Sequence, residues 1–202
     1  MSYATIETVE ALEALYGSPK PAATVKVADR LTPEYRAWID AAPFCALGTI
    51  GPEGLDVSPR GDAGTVVHAI DDKTLAMPDR RGNDRLDSLR NVVRDPRVSL
   101  MLMVPGENTV IRIVGEGAIS AQADLLQRFE MEGALPRSVL LVSIQEIYFQ
   151  CARAPIRAKL WAPSERRDLP TPGQILAAMS AGAEGGESYD RDWPARAAKT
   201  MW

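Results

Sequence analysis

Apolar and polar positions change period several times along the chain, and each change marks an element. Residues 5–16 (TIETVEALEALY) place Ile6, Val9, Leu12 and Leu15 at helical spacing, with Thr5 as candidate cap and Gly17-Ser18-Pro19 as the stop. Residues 19–24 read as a loop. Thr32 followed by Pro33 and Glu34 predicts a helix over 32–42 that buries Tyr35, Trp38 and Ile39 and ends before Pro43. The period then shortens to two. Strands are expected over 44–50 and 55–60, joined as a hairpin by Gly51-Pro52-Glu53-Gly54, then over 65–70 and 74–77. Pro78 breaks the fourth strand, and a helix over 83–93 follows, capped by Asn83 or Asp84 and ended by Asp95-Pro96.

The second half repeats the alternation. A long apolar core strand spans 98–104 (VSLMLMV), a strand over 109–120 is interrupted at Gly115, and a helix occupies 121–133. A strand over 139–149 is broken only by Gln145-Glu146, and residues 151–161 fit neither period. After a polar loop, Thr171-Pro172-Gly173-Gln174 starts a helix that Gly182 ends. The tail from residue 185 has little apolar periodicity, although it holds Tyr189, Trp193, Met201 and Trp202. Six or seven short strands with Gly/Pro turns, and one helix between the fourth and fifth, predict a small closed antiparallel barrel with helices outside. A two-layer α+β sheet is the competing architecture. A single domain is expected, with N-terminal helices over 1–42, a core over 43–162 and a C-terminal helix and tail over 163–202.

Composition narrows the function. With 202 residues and 46% hydrophobic content the chain can build a full core. A net charge of −4 with no clustered basic face gives no case for nucleic acid or for an anionic membrane surface. One histidine, His68, and two distant cysteines, Cys45 and Cys151, make no zinc ligand set, and both cysteines are expected as buried free thiols. The acidic N-terminus is no secretory signal and no apolar run has the length of a membrane span, so a cytoplasmic location is expected.

The candidate chemistry concentrates in TLAMPDRRGNDRLDSLRN, residues 74–91. Asp79, Arg80, Arg81 and Gly82 precede a helix start that also carries Arg85, and unpaired backbone donors beside arginines suit an anion such as phosphate. The alternative is a strand-to-helix loop with solvated arginines, since no Gly-rich phosphate fingerprint is present. Arg60, between Pro59 and Gly61 at a strand end, reads as a site residue rather than as a surface partner of Asp56 or Asp62. Arg80 reads as a solvated neighbour of Arg81, Asp62 and Asp79 as candidate polar gates, and His68 as a strand histidine rather than a base.

Three blocks in order carry a resemblance: LTPEYRAWIDAAPFCALGTIGPEGLDVSPRGD, LAMPDRRGNDRLDSLRNVVRDPRVSLMLMVPG and RIVGEGAIS. Together, over roughly residues 25–165, they resemble the pyridoxamine 5′-phosphate oxidase-like flavoproteins, a family of antiparallel, Greek-key split β-barrels that bind FMN. The resemblance implies a mainly β fold with flanking helices and a homodimer with FMN at the subunit interface. By position it implies that Ser58 and Arg60 touch FMN, that Met77, Pro78 and Asp79 meet the ring, and that Arg81, Asn83 and Arg85 bind the phosphate. Asn91 is a weaker candidate, and Arg157 and Trp161 match late residues that reach the partner's flavin. The second strand reads S-P-R-G-D without the family enzymes' lysine, and their C-terminal Arg-x-His substrate signature has no counterpart, which argues against the vitamin substrate. The implied function is an FMN-dependent oxidoreductase acting on an unassigned small molecule. The alternatives are a non-catalytic flavin-binding protein and, on the same barrel, a heme or deazaflavin binder with His68, a methionine or a cysteine as axial ligand.

Overall fold

The structure is a computed structural model that describes residues 3–82, 84–163 and 167–201. Three helices lead in: α1 (Val9–Tyr16), α2 (Pro21–Thr24) and α3 (Pro33–Asp40). The strands are β1 (Phe44–Gly51), β2 (Gly54–Gly61), β3 (His68–Ala69), β4 (Thr74–Pro78), β5 (Arg97–Met103), β6 (Val110–Ser120) and β7 (Val139–Gln150). Helix α4 (Asp87–Arg94) connects β4 to β5, and α5 (Ala123–Arg128) connects β6 to β7. Helices α6 (Arg153–Ala158), α7 (Pro172–Met179) and α8 (Gly186–Ala198) follow.

All seven strands belong to one sheet, in the order β2-β1-β5-β6-β7-β4-β3, with every described pairing antiparallel. The β5-β6-β7 meander with β4 returning beside β7 is a Greek-key arrangement. The sheet does not close. Strands β2 and β3 remain its edges, so the closed barrel expected from strand count is replaced by a split one.

The inward face is built by alternation. Cys45 and Leu47 of β1, Leu100 and Leu102 of β5, Ile111 and Ile113 of β6, and Val142, Ile144 and Ile147 of β7 are buried together with Leu75 and Met77 of β4. Helix α3 seals one side through Ile39, and Thr32 caps it by accepting from the Tyr35 N–H.

The bend in β6 and β7 has an identifiable cause. Register shifts between Val114 and Gly115, leaving Gln145 as the extra residue opposite, so Ile144 and Ile147 both point inward. Gly115 is required there, because a Cβ would collide with the Ser143 carbonyl oxygen. The polar pair Gln145-Glu146 therefore bends β7 instead of ending it.

Other boundaries moved for local reasons. Helix α1 begins at Val9 because Thr8, not Thr5, caps it, and it buries none of its residues. A turn of helix, α2, replaces part of the expected loop. The third strand shrinks to two residues, because Val66 N–H bonds the Ala42 carbonyl and Thr65 Oγ1 bonds the Ile39 and Val67 carbonyls. Residues 65–67 thus pack on the end of α3, not in the ladder. Helix α5 stops early at a turn that places Glu132 and Gly133 at positive φ. Cys151, expected buried, is exposed, whereas Cys45 is fully buried. Burial pushes the Cys45 thiol up to about 12, with Arg60 opposing that shift.

The tail folds into α8, which lacked apolar periodicity because it buries nothing. It pairs with α7 through Asp190, whose carboxylate accepts from the Gly173 N–H (2.8 Å) and the Thr171 hydroxyl. Thr171 and Gln174 form the capping box of α7. Among the described residues, no helix is long and apolar enough to cross a membrane, and no cluster of metal-binding side chains occurs.

Candidate functional site

The split in the barrel is bridged by side chains, and the bridging residues are the ones rich in chemistry. Along β2, Asp56, Ser58 and Arg60 are half-buried while the alternating Leu55, Val57 and Pro59 face outward. Asp56 accepts from Ser88 Oγ of α4 at 2.7 Å. Arg60 Nη1 donates to Asp79 Oδ1 at the end of β4, also at 2.7 Å, with 22% and 17% of the two side chains exposed. One turn on, Asp62 accepts from Arg80 Nε at 2.8 Å, and Arg80 Nη1 donates to the Phe129 carbonyl at 2.7 Å. Ladder hydrogen bonds end at β2, and two ion pairs carry the seam from there to β4.

Arg60 is incompletely used. Its Nε is buried and has no hydrogen-bond partner, a buried donor that costs energy until an acceptor meets it. Nearby, a cavity of about 400 Å³ opens beyond Asp79. It is lined by Asp79, Arg80, Arg81, Gly82 and Asp84 of the loop after β4, by the apolar Leu86 and Leu89, and by residues 134–138. The Asp79 N–H bonds the Ser138 carbonyl at 2.9 Å, which joins the first of these segments to the last.

The helix start differs from the expected one. Asp84 and Leu86 both adopt left-handed backbone (φ 57° and 61°), and the helix begins only at Asp87. No side chain caps it; Leu86 occupies the cap position. Asp87 stands in the first turn, facing the positive end of the helix, and pairs with Arg85 Nε at 2.8 Å. The expected Asn83 or Asp84 cap therefore moves: Asn83 lies outside the described residues, and Asp84 instead accepts from Arg137 Nη1 at 2.9 Å.

The family model described as pyridoxamine 5′-phosphate oxidase matches residues 31–151, which hold the whole sheet and α3 to α5. The chain belongs to the pyridoxamine 5′-phosphate oxidase family. Comparison with the curated proteins gave no match. Solved structures similar to this member of the family include HupZ of Group A Streptococcus, at 14% identity and TM-score 0.49, covering 59% of this chain and 93% of the other. General stress protein 26 of Bacillus anthracis is 16% identical with TM-score 0.42 over 56% of this chain and 88% of the other. An FMN-binding protein of Syntrophomonas wolfei is 18% identical with TM-score 0.44 over 56% and 82%. The family match ends at Cys151, so α6 to α8 lie outside it.

Within this family member, the residues singled out from sequence fall into three groups. Arg60, Asp79, Arg81 and Ser58 gather around the split, Arg81 exposed and without an ion pair or hydrogen bond among the described residues. Met77 and Pro78 are buried, Met77 within the core cluster, so the side chain of Met77 serves packing. Asn91 is also buried; its Nδ2 donates to Thr49 Oγ1 at 3.2 Å, and its side chain fills the space a Gly51 Cβ would need, which clasps α4 to β1. Arg157 stands on α6, and Trp161 Nε1 donates to the Glu107 carbonyl at 2.7 Å, tying the segment after α6 to the β5–β6 turn.

Sequence reasoning missed Arg80, which is buried in an ion pair rather than solvated, and it missed Arg137, Leu86 and Leu89. Nothing in the spacing of Asp62 and Arg80, or of Asp84 and Arg137, signals a pair, because the sheet topology alone brings these residues together. His68 lies on β3 with its ring 5.0 Å from that of Phe129. Burial holds its pKa below the ordinary value, Arg80 and Arg128 add to that, and Asp62 and Asp40 oppose it.

Proposed function

We propose that this protein is an FMN-dependent oxidoreductase that works as a homodimer on a small-molecule substrate. The observation that carries the reading is the buried, partnerless Nε of Arg60 at the split of a pyridoxamine 5′-phosphate oxidase-family barrel. A ring-edge acceptor of a flavin would satisfy that donor, and Asp79 holds the guanidinium in place to offer it. The neighbouring cavity of about 400 Å³ lies within the range of cofactor sites, is lined by both apolar and cationic side chains, and leaves Arg81 open to an anion. FMN, when bound, would supply the redox chemistry; the chain supplies anchoring, orientation and exclusion of water.

The dimer is supported by the outward face of β2, β1 and β5. Leu55 and Val57 are 83% and 69% exposed; register sets Leu55 opposite Ile50 and Val57 opposite Gly48, and Pro59, Ala46 and Met101 form a further row on the same sheet. An apolar sheet face of this kind needs cover. Arg157 and Trp161 make no contact with the Arg60–Asp79 pair in their own chain's hydrogen-bond network, in keeping with a role across the interface.

The test is an absorption spectrum of the purified protein with and without added FMN, beside Arg60→Met. We expect a flavin band near the visible in wild type and an affinity at least about tenfold lower in the variant, as for loss of a charge-assisted hydrogen bond. Anaerobic bleaching of that band by NADH or NADPH separates an oxidoreductase from a flavin carrier. Wild-type protein that stays colourless and takes up no FMN overturns the reading.

A further inference from the structure

The cavity beyond Asp79 is bordered by a further cation that the sequence did not single out, Arg137, which is held by an exposed carboxylate. Arg137 lines the same cavity as Arg81, two residues before β7 begins. Its segment is joined to the one that carries Arg81 by the Asp79 N–H to Ser138 carbonyl bond, so both arginines border one space. Arg137 Nη1 donates to the Asp84 carboxylate at 2.9 Å, and both side chains are mostly exposed, 68% and 60%.

Three facts make this pair exchangeable. An ion pair so exposed contributes little to stability. Asp84 holds left-handed backbone at φ 57°, and two residues on Leu86 does the same at φ 61°, a conformation unfavourable for a leucine, so the loop that carries the pair is strained. A carboxylate also presents the same oxygen geometry to a guanidinium as a phosphate does, with less charge. We propose that Arg137 is a further ligand for the phosphate of the flavin nucleotide, that it binds together with Arg81, and that the Asp84 carboxylate occupies it until that phosphate arrives. This deepens the flavin reading and rests on it. The phosphate takes the place of Asp84 on Arg137, and Asp84 is a competitor, not a ligand.

The competitor role has a sign that a structural salt bridge lacks. Arg137→Gln and Asp84→Asn are compared with wild type by fluorescence titration with FMN and with riboflavin, which lacks the phosphate. Asparagine tolerates the left-handed backbone at position 84, so that variant keeps the loop. The expected result is a loss of about tenfold or more in FMN affinity for Arg137→Gln and a gain of severalfold for Asp84→Asn, with riboflavin affinity unchanged in both. Weakening of both flavins by both variants would mean that the pair only shapes the loop, and unchanged FMN affinity in Arg137→Gln would mean that the phosphate lies elsewhere; either result overturns this proposal and leaves the flavin reading standing. Wild type that binds neither flavin overturns the flavin reading, and calorimetric titration with inorganic phosphate then decides: binding lost in Arg137→Gln keeps the anion site, and no binding removes it as well.

Discussion

Two arginines adjacent in sequence have opposite fates. Arg80 turns inward, where it meets a carboxylate only 2% exposed and a backbone carbonyl, while Arg81 stays in solvent. The difference is not strand alternation, since the adjacent Asp79 also turns to the seam; Arg80 turns inward because Asp62 and the Phe129 carbonyl both lie within its reach. His68, near the same seam, gives a residue-scale prediction. Its pKa lies below the ordinary 6.5 because burial disfavours the cation. The unfolded chain therefore takes up a proton that the folded one resists. The contribution is fully present above pH 6.5 and is lost as pH falls through that value toward the lower folded one. Urea midpoints measured from pH 7.5 to pH 5 should fall more steeply in wild type than in His68→Gln; parallel curves would refute this. Alternation within β2 was legible at this scale, and the place of Arg60 between Pro59 and Gly61 at the strand end singled it out. The partner of Arg60 was not, since Asp79 is separated from it by two strands and their loops.

At the scale of elements, local chemistry decides where a segment starts and tertiary contacts decide where it stops. Thr32-Pro33-Glu34 and Thr171-Pro172-Gly173-Gln174 were read correctly as helix starts because the capping groups are neighbours in sequence. The start of α4 was misplaced by four residues, because the chain first makes the left-handed turns that line the cavity. The β6–β7 bulge belongs here too. Gly115→Ala would place a methyl against the Ser143 carbonyl, a backbone atom that cannot swing away. We expect a destabilisation of about 1–3 kcal/mol, as for overpacking, read as a lower urea midpoint at unchanged slope. An unchanged midpoint would show that the ladder relaxes freely at this point.

For the whole molecule, the open question is what covers its apolar surfaces. The outer face of β2, β1 and β5 and the helices outside the family match leave large apolar side chains in water, among them Val9 and Leu15 of α1 and Trp193 of α8. Under the dimer reading, Val57→Asp combined with Met101→Asp sets charge in the centre of the sheet face. Light scattering should then give half the wild-type mass, with FMN affinity falling alongside if the cofactor lies at the interface. A variant that keeps the wild-type mass would place the interface elsewhere.

The sequence alone determined what depends on neighbours along the chain: the strand and helix periods, the turns, the caps of α3 and α7, and the three ordered blocks that led to the family. It determined that residues 55–60 alternate as a strand with Arg60 at its end. Only the tertiary structure decided which charges are spent and which are open. The curl of the sheet sets β2 against β4, so Asp62 consumes Arg80, and Asp79 engages one nitrogen of Arg60 and leaves another bare; the pairing of β4 with β7 brings Asp84 to Arg137. The first two pairings cross the split between residues 18 and 19 positions apart and the third joins residues 53 apart, and no local period encodes them, because strand order and register, not spacing, bring them within hydrogen-bond reach.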